Sequence, residues 1–299
     1  PRMYRTFVIA RHTAVEAMAQ PIYLLVLAIG AALMCLFGLL PFFTLGEDTK
    51  MFLDVGRDFV LLLVLLATLF ATSATVYDEI ENRTMLTLMS KPVGRLEVLL
   101  GKYLGLLASA LLAVVVLGLV LGFATWFRVP TDYVLNADTV DAGEAKRLAD
   151  TRLMHLVGLS ISLLMAWMQI GVLAAISVAI STRVSLVVNL PVLFLLYLAG
   201  NLARFLDTLG AQAGALVRAL AEVVNTVLPF LAVFDLRELT LYAPIALPGS
   251  VFAADPGATA VSTLAAEVGL SGLYFVLYVT AALTAGLLMF RGRELGGGE

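Results

Sequence analysis

The feature that most restricts the fold of this chain is a series of long apolar runs. Each is about as long as the 20 residues that an α-helix needs to cross the hydrocarbon core of a bilayer. Charged side chains lie at the ends of these runs, and none contains an Asp or Glu well inside. The candidate spans are residues 21–44, 59–77, 102–127, 153–180, 186–206 and 268–290. We therefore predict an all-α integral membrane protein with six transmembrane helices.

The composition supports the same class of protein. Of the 299 residues, 61% are hydrophobic and 14% are charged, against about 45–50% and about 25% in an average soluble domain. The mean hydropathy is +0.98. A soluble chain this apolar would lack the polar surface to cover itself, which excludes a disordered chain and an ordinary cytosolic enzyme. The formal net charge of −3 gives no basic excess for a nucleic-acid partner.

The first 20 residues form a unit of their own. Residues 3–20 are amphipathic, with Phe7, Val8 and Val15 near one face, and Pro21 ends the pattern. This pattern predicts a helix that lies in the cytoplasmic membrane interface, or else a helix packed on other protein. We therefore divide the chain into an interfacial helix, 1–20, and a six-span membrane domain, 21–299.

The orientation rests on the density of basic residues. Lys and Arg divide almost equally between the two sets of loops, but the set that includes both termini, loop 78–102 and turn 181–185 is shorter. The positive-inside rule then places both termini in the cytoplasm. Arg11, Lys102 and Arg291 are expected to anchor helix ends at the headgroup level.

Two segments on the outside are more than simple turns. Residues 128–152 are polar and predict a small excursion with a short helix near 142–153. Residues 207–267 are longer, with a helical pattern over 211–228 followed by several prolines. This second segment fits either an outside cap or a re-entrant pair.

The chain shows no site for chemistry of its own. Gly101-Lys102-Tyr103 is the nearest approach to a P-loop, and it lacks both the hydroxyl residue and the upstream glycine spacing. His12 and His155 are far apart, and Cys35, inside an apolar run, is expected to be a small buried residue. We therefore expect no enzyme activity, cofactor or metal, and a source of free energy in another subunit.

The densest local pattern lies in loop 78–102, between the second and third spans. Acidic residues at its start favour the positive end of a helix dipole, and Met85, Leu86, Leu88 and Met89 form an apolar knob. Pro92 ends this short helix, because the residue before a proline resists the α conformation. The shape alone fits either a docking helix or a helix lying idle on the membrane surface.

The same loop resembles the signature of ABC-2 type permeases. That signature has an acidic stretch, Arg-Thr-x-x-x-Leu, a proline followed three residues later by Arg, and Gly-Lys opening the third span. The matching residues are Glu79, Glu81, Arg83, Thr84, Leu88, Pro92, Arg95, Gly101 and Lys102. The tail 290–295 is similar to the Phe-x-x-Arg-Glu ending common in this family. Within the family, the chain looks most like the branch of nitrous-oxide-reductase-maturation and gliding-motility permeases.

This resemblance implies a division of labour between subunits. A separate ABC ATPase would bind the ATP, and the loop would be the coupling helix, with residues 84–89 in a groove of that ATPase. The coupling residues so implied are Glu79, Glu81, Arg83, Thr84, Met85, Leu88, Met89, Pro92 and Arg95. A second permease copy or a related permease and the lipid membrane are further partners, and a periplasmic protein is a candidate partner. The implied location is the cytoplasmic (inner) membrane of a bacterium or archaeon.

Two functions follow from this interpretation. The first is a permease that couples ATP hydrolysis by its partner to export or to conformational signalling. The alternative is a non-transporting anchor that links an ATPase to a periplasmic partner. Gly101–Gly105 and Gly118–Gly122 are GxxxG patterns in the third span, which favour close helix approach and offer a candidate dimer seam.

Overall fold

The computed structural model of the chain describes residues 2–39, 48–81, 94–133, 142–212, 228–242 and 258–291. Within these ranges every regular element is helical. The α-helices are α1 (Arg2–Ala19), α2 (Pro21–Leu39), α3 (Asp48–Thr72), α4 (Asp78–Glu81), α5 (Arg95–Tyr133), α6 (Ala142–Ser181), α7 (Leu186–Gln212) and α8 (Ala258–Arg291). A π-turn at Ser73–Tyr77, a 3₁₀ turn at Leu231–Phe234 and a second π-turn at Glu238–Tyr242 complete the chain order.

The predicted all-α membrane class is confirmed. Five helices are long and apolar enough to cross a bilayer, over Pro21–Leu39, Thr49–Tyr77, Arg95–Arg128, Leu148–Ser181 and Ser262–Phe290. The remaining predicted span corresponds to α7, whose apolar part, Leu186–Asn201, is shorter. Pro191 lies inside this helix.

The core is formed by α3, α5 and α6. In the most apolar window of α6, 72% of the residues are buried, against 22% for α2 and for α8. Leu61, Leu106 and Ile170 come from the three central helices, and none has any exposed surface. Because α2 and α8 pack through one face only, most of their apolar surface is left for lipid. Cys35 therefore lies exposed on α2, contrary to the expectation that it is buried.

Two polar stretches, residues 54–58 and 142–153, lie outside the predicted spans but belong to the long helices α3 and α6. Helix α3 begins at Asp48, well before the predicted start at residue 59, although residues 54–58 contain three charges. Helix α6 runs without a break from Ala142 to Ser181, so the predicted short helix near 142–153 is the first part of a span. In α3 the charged stretch can stay helical because Asp58 is bonded to Arg237, a partner distant in sequence. At the start of α6 the charged residues Lys146 and Asp150 are exposed on the helix.

Helix α1 packs on the beginning of α5. A Cβ atom on Gly105 would lie 2.5 Å from the carbonyl oxygen of Ala10, and one on Gly101 would lie 2.7 Å from Ile9. The first GxxxG pattern therefore permits close approach, as predicted, but its face is covered by α1 of the same chain. Met3 and Phe7 on the other side of α1 are 86% and 67% exposed. The membrane-interface location of α1 stays a prediction.

Residues 228–242, within the segment 207–267, pack into the helix bundle. Leu231, Phe234 and Leu241 are fully buried. Ser271 of α8 donates a hydrogen bond to the carbonyl of Val233 (2.9 Å), and the Tyr274 hydroxyl accepts one from the Phe230 N–H (2.8 Å). Residues 228–242 thus form a buried plug against α6, α7 and α8. The predicted helix over 211–228 lies almost entirely outside the described residues.

Substitution of Gly158 by alanine is expected to displace this plug. A Cβ atom on Gly158 of α6 would overlap the main-chain carbonyl oxygen of Thr240, and overpacking of this kind costs about 1–3 kcal/mol. Thermal unfolding of the purified protein in one detergent measures the effect. Gly269→Ala is the matched control, since nothing lies within 4 Å of a Cβ atom there. Equal melting temperatures for the two variants would contradict the prediction.

Candidate coupling site

The structure describes both flanks of the predicted coupling loop. The segment 82–93 lies outside the described residues, and so do the predicted coupling residues Arg83, Thr84, Met85, Leu88, Met89 and Pro92. Glu81 is the last residue of α4, and its side chain is also outside the description. The role of these residues stays a prediction. The flanking residues Glu79, Arg95 and Lys102 are placed.

The near flank begins with a run of buried hydroxyl residues at the end of α3. Thr68, Thr72 and Thr75 donate hydrogen bonds of 2.7–2.8 Å to the carbonyl oxygens of the residues four positions earlier. Such back-bonding competes with the main-chain ladder and often bends a helix. Here it precedes and enters a π-turn, Ser73–Tyr77, a widening of the helix that frequently occurs at functional positions.

Lys102 joins this π-turn to the start of α5. Its ammonium group lies 2.7 Å from Oε1 of Glu79 and donates a hydrogen bond to the carbonyl oxygen of Thr75. The Lys102 side chain is 3% exposed and that of Glu79 is 25% exposed. The charged end of Lys102 therefore lies inside the protein, where an acidic residue of the loop compensates it. The expected position of Lys102 at the headgroup level stays a prediction.

On the far flank, α5 begins with one half of a capping box, because Gly94 at the N-cap has no side chain for the other half. The N–H of Gly94 donates to Oε2 of Glu97 at 3.2 Å, so the third helical residue satisfies the capping residue's own donor. Glu97 is 7% exposed. This bond defines where the chain re-enters a helix immediately after the coupling segment.

Two arginines bind the C-terminal end of α8. Arg95 donates from Nη1 to the carbonyl of Phe290 at 3.2 Å, and its guanidinium lies 5.4 Å from the Phe290 ring centroid. Arg183 donates from Nε and Nη2 to the carbonyl of Met289, at 3.2 and 2.8 Å. The last carbonyls of a helix lack partners within the helix and carry partial negative charge, so cations are favoured there.

Arg183 is a residue that sequence reasoning missed. It lies in the tight turn between α6 and α7, and a single basic residue in a short inter-span turn is the only local signal. Of the other predicted anchors, Arg11 is exposed on α1. Arg291 is the final residue of α8, and its side chain is outside the description.

A second charged group lies at the opposite end of the bundle. Arg237 of the plug forms a two-bond pair with Asp235 (2.8 and 3.2 Å) and donates to Asp58 of α3 at 3.0 Å. Arg57 donates to the other oxygen of Asp58 at 2.9 Å. Burial acts to lower the pKa of Arg237, but the bond to Asp235 and the nearby carboxylates outweigh it and raise this pKa. These bonds connect the plug to α3, and no local sequence pattern predicts them.

Polar side chains within the spans pair with one another. Gln169 donates to the Asn201 side chain at 3.1 Å. Asn189 donates to the hydroxyls of Ser177 and Ser181 at 2.8 and 2.9 Å. These bonds hold α6 and α7 together, as is common for polar residues between transmembrane helices. Among the described residues, no group of three or more His, Cys, Asp or Glu side chains is placed to hold a metal ion.

Two comparisons with known proteins bear on this geometry. No curated protein sequence matches the chain. A family model described as ABC-2 family transporter protein matches residues 43–295, which include the π-turn, both flanks of the loop and the plug. With five long apolar helices and a shorter one in a bundle of the predicted class, the chain belongs to the ABC-2 transporter family, as a multi-pass transmembrane subunit.

Proposed function

We propose that this chain is the permease of an ABC transporter in which loop 78–102 receives the motion of a separate ATPase and passes it to the spans. The complex would use ATP for export or for conformational signalling across a bacterial or archaeal inner membrane. Both termini and the loop would face the cytoplasm, and two permeases would pair. The likeness of the loop to the ABC-2 permease signature supports this reading, and within that family the chain looks most like the nitrous-oxide-reductase-maturation and gliding-motility branch.

The observation that carries the proposal is the attachment of both flanks of the loop to the spans. On the near side, Lys102 links Glu79 and the Thr75 carbonyl to α5. On the far side, Arg95 links the first turn of α5 to the end of α8. A displacement of the loop would therefore be transmitted to α3, α5 and α8 together, as coupling to an ATPase requires.

The plug suggests where the opposite end of the pathway closes. Leu231, Phe234 and Leu241 of the plug are fully buried among the helices, and Arg237 bonds the plug to α3. A closure at this end, opposite the loop, fits a permease whose outer mouth opens during the cycle. The alternative, a non-transporting anchor for a periplasmic partner, needs the same docking loop but no opening of the plug.

Co-purification from a mild detergent tests the proposal. The full-length tagged chain, expressed in its own host, is expected to bring down an ABC ATPase in a ratio near 1:1, identified by mass spectrometry. A periplasmic protein in the same complex would point to the pathway that the permease serves. Recovery of the chain without any ABC ATPase under conditions that preserve other membrane complexes would contradict the proposed function.

A further inference from the structure

An apolar groove runs between α5 and α6 on the outside of the bundle. It encloses about 700 Å³. One wall is formed by α5 from Leu111 to Trp126, and the other by α6 from Leu156 to Trp167. Ser160 is the single hydroxyl residue in the lining, and its Oγ already donates to the Val157 carbonyl at 2.7 Å. The groove can therefore hold a ligand only through its shape and through contact with hydrocarbon side chains.

The dimensions of the groove match a lipid chain. The fifteen steps from Leu111 to Trp126 correspond to about 22 Å along an α-helix, somewhat more than the about 15 Å of hydrocarbon in one leaflet. Leu119 and Phe123 on its rim are 69% and 68% exposed. An acyl chain would reach from the headgroup level at Trp126 down to Trp167. The Trp167 ring is held there by a 3.1 Å hydrogen bond from Nε1 to the Leu107 carbonyl.

A cation lies at one end of the groove. The Arg152 guanidinium is 4.8 Å from the centroid of the Trp126 ring. Its Nε is buried and has no hydrogen-bond partner in the part of the chain that the structure describes. Both residues lie near the ends of their spans, Leu148–Ser181 and Arg95–Arg128. Arg152 as a whole is part-exposed, so the accessible part of its planar guanidinium, and not the buried Nε, is what can meet the oxygens of a phosphate group.

Arg152 also favours a phospholipid over a second copy of the chain as the occupant of the groove. A second copy of the chain, packed on the groove through hydrocarbon side chains, would cover the part of the Arg152 cation that is still exposed without an acceptor, which is costly. A phospholipid fills the same groove with hydrocarbon and brings an acceptor to Arg152. An anionic headgroup adds a net charge of opposite sign.

We propose that this groove is a binding site for one membrane phospholipid, with an acyl chain along α5 and α6 and an anionic headgroup on Arg152. The site does not rest on the proposed coupling function, because lipid binding here needs neither the ATPase nor nucleotide.

Intrinsic fluorescence provides a direct test, because the chain has two tryptophans and both line the groove. The full-length chain is reconstituted in phosphatidylcholine bilayers that contain a minority of phosphatidylglycerol. The bromine quencher is placed on the acyl chains of one lipid or of the other. Brominated phosphatidylglycerol is expected to quench the fluorescence about fivefold more than its share of the bilayer predicts. This is the preference for an anionic lipid that one positive charge provides.

Arg152→Gln is expected to reduce the preference to the lipid's share of the bilayer, with an unchanged melting temperature. Lys146→Gln is the matched control, since it removes an exposed positive charge from the same helix and should keep the preference. Equal quenching by the two lipids in the unmodified protein would overturn the proposal. So would an Arg152→Gln variant that keeps the preference, or weak quenching by both lipids together with a cross-linked dimer at the groove.

Discussion

Replacing Leu88 and Met89 with aspartate is expected to abolish the stimulation of ATP hydrolysis by this chain. The apolar knob of the loop is predicted to enter a groove of the ATPase, and an ionised carboxylate without a partner is strongly disfavoured in an apolar environment. The loop lies outside the bilayer-spanning runs, so insertion of the variant should match that of the unmodified chain. Stimulated ATPase activity in proteoliposomes and the yield in the membrane fraction are the two measurements.

The matched control exchanges the same two side chains, Leu88→Met with Met89→Leu. This variant keeps the apolar area, and volume-conserving swaps of this kind are well tolerated, so its stimulation should remain close to that of the unmodified protein. An aspartate variant that retains normal stimulation and normal insertion would contradict the assignment of this segment as the coupling helix. A variant of either kind that fails to insert is to be replaced by Leu88→Gln.

The second large effect is expected at the pair of Lys102 and Glu79. Glu79→Ala leaves the ammonium of Lys102 almost fully buried, with its hydrogen bond to the Thr75 carbonyl but without a carboxylate. Breaking a buried ion pair in this way costs about 3–5 kcal/mol, and the partial exposure of Glu79 reduces this to about 2–3 kcal/mol. Lys102→Met should cost less, because the methionine fills the same space and the Glu79 carboxylate reaches water.

A double-mutant cycle makes this comparison quantitative. If the cost of Glu79→Ala arises from the buried ammonium, the double variant Glu79→Ala, Lys102→Met should be about as stable as Lys102→Met alone. Unfolding in a single detergent measures the stability of each variant. Stimulated ATPase activity measures whether this flank of the loop still couples the ATPase to the spans. Strictly additive effects would show that the two side chains are not energetically coupled. Glu97→Gln, on the other flank, serves as a control that leaves this pair unchanged.

The class of the fold could be read from local patterns. Runs of about 20 apolar residues with charges at their ends are sufficient to predict transmembrane helices, and the structure confirms the all-α membrane class. The resemblance of residues 79–102 to the ABC-2 permeases is confirmed at the level of the family. These inferences succeed because the bilayer imposes the same length and polarity on every span, whatever it packs against.

The boundaries and the polar contacts were less predictable. The charges of Asp54, Arg57 and Asp58 indicate a loop when only neighbours in sequence are considered. In the structure Asp58 is bonded to Arg237, 179 residues away, and this lets the helix continue through the charged stretch. Similarly, the position of Lys102 at a span end predicts an interfacial anchor but gives no sign of its ion pair with Glu79, 23 residues earlier.

The sequence by itself determined that this chain is a helical membrane protein, where most spans lie, and which family its loop belongs to. These properties depend on the free energy of transferring each segment into lipid and on a short motif. Only the tertiary structure decided that Gly101 and Gly105 receive α1, that Arg95 and Arg183 bind the end of α8, and that residues 228–242 fill the bundle. Each depends on groups that lie far apart in sequence, from 38 residues for Ser271 and Val233 to 195 for Arg95 and Phe290, for which no local pattern carries a signal.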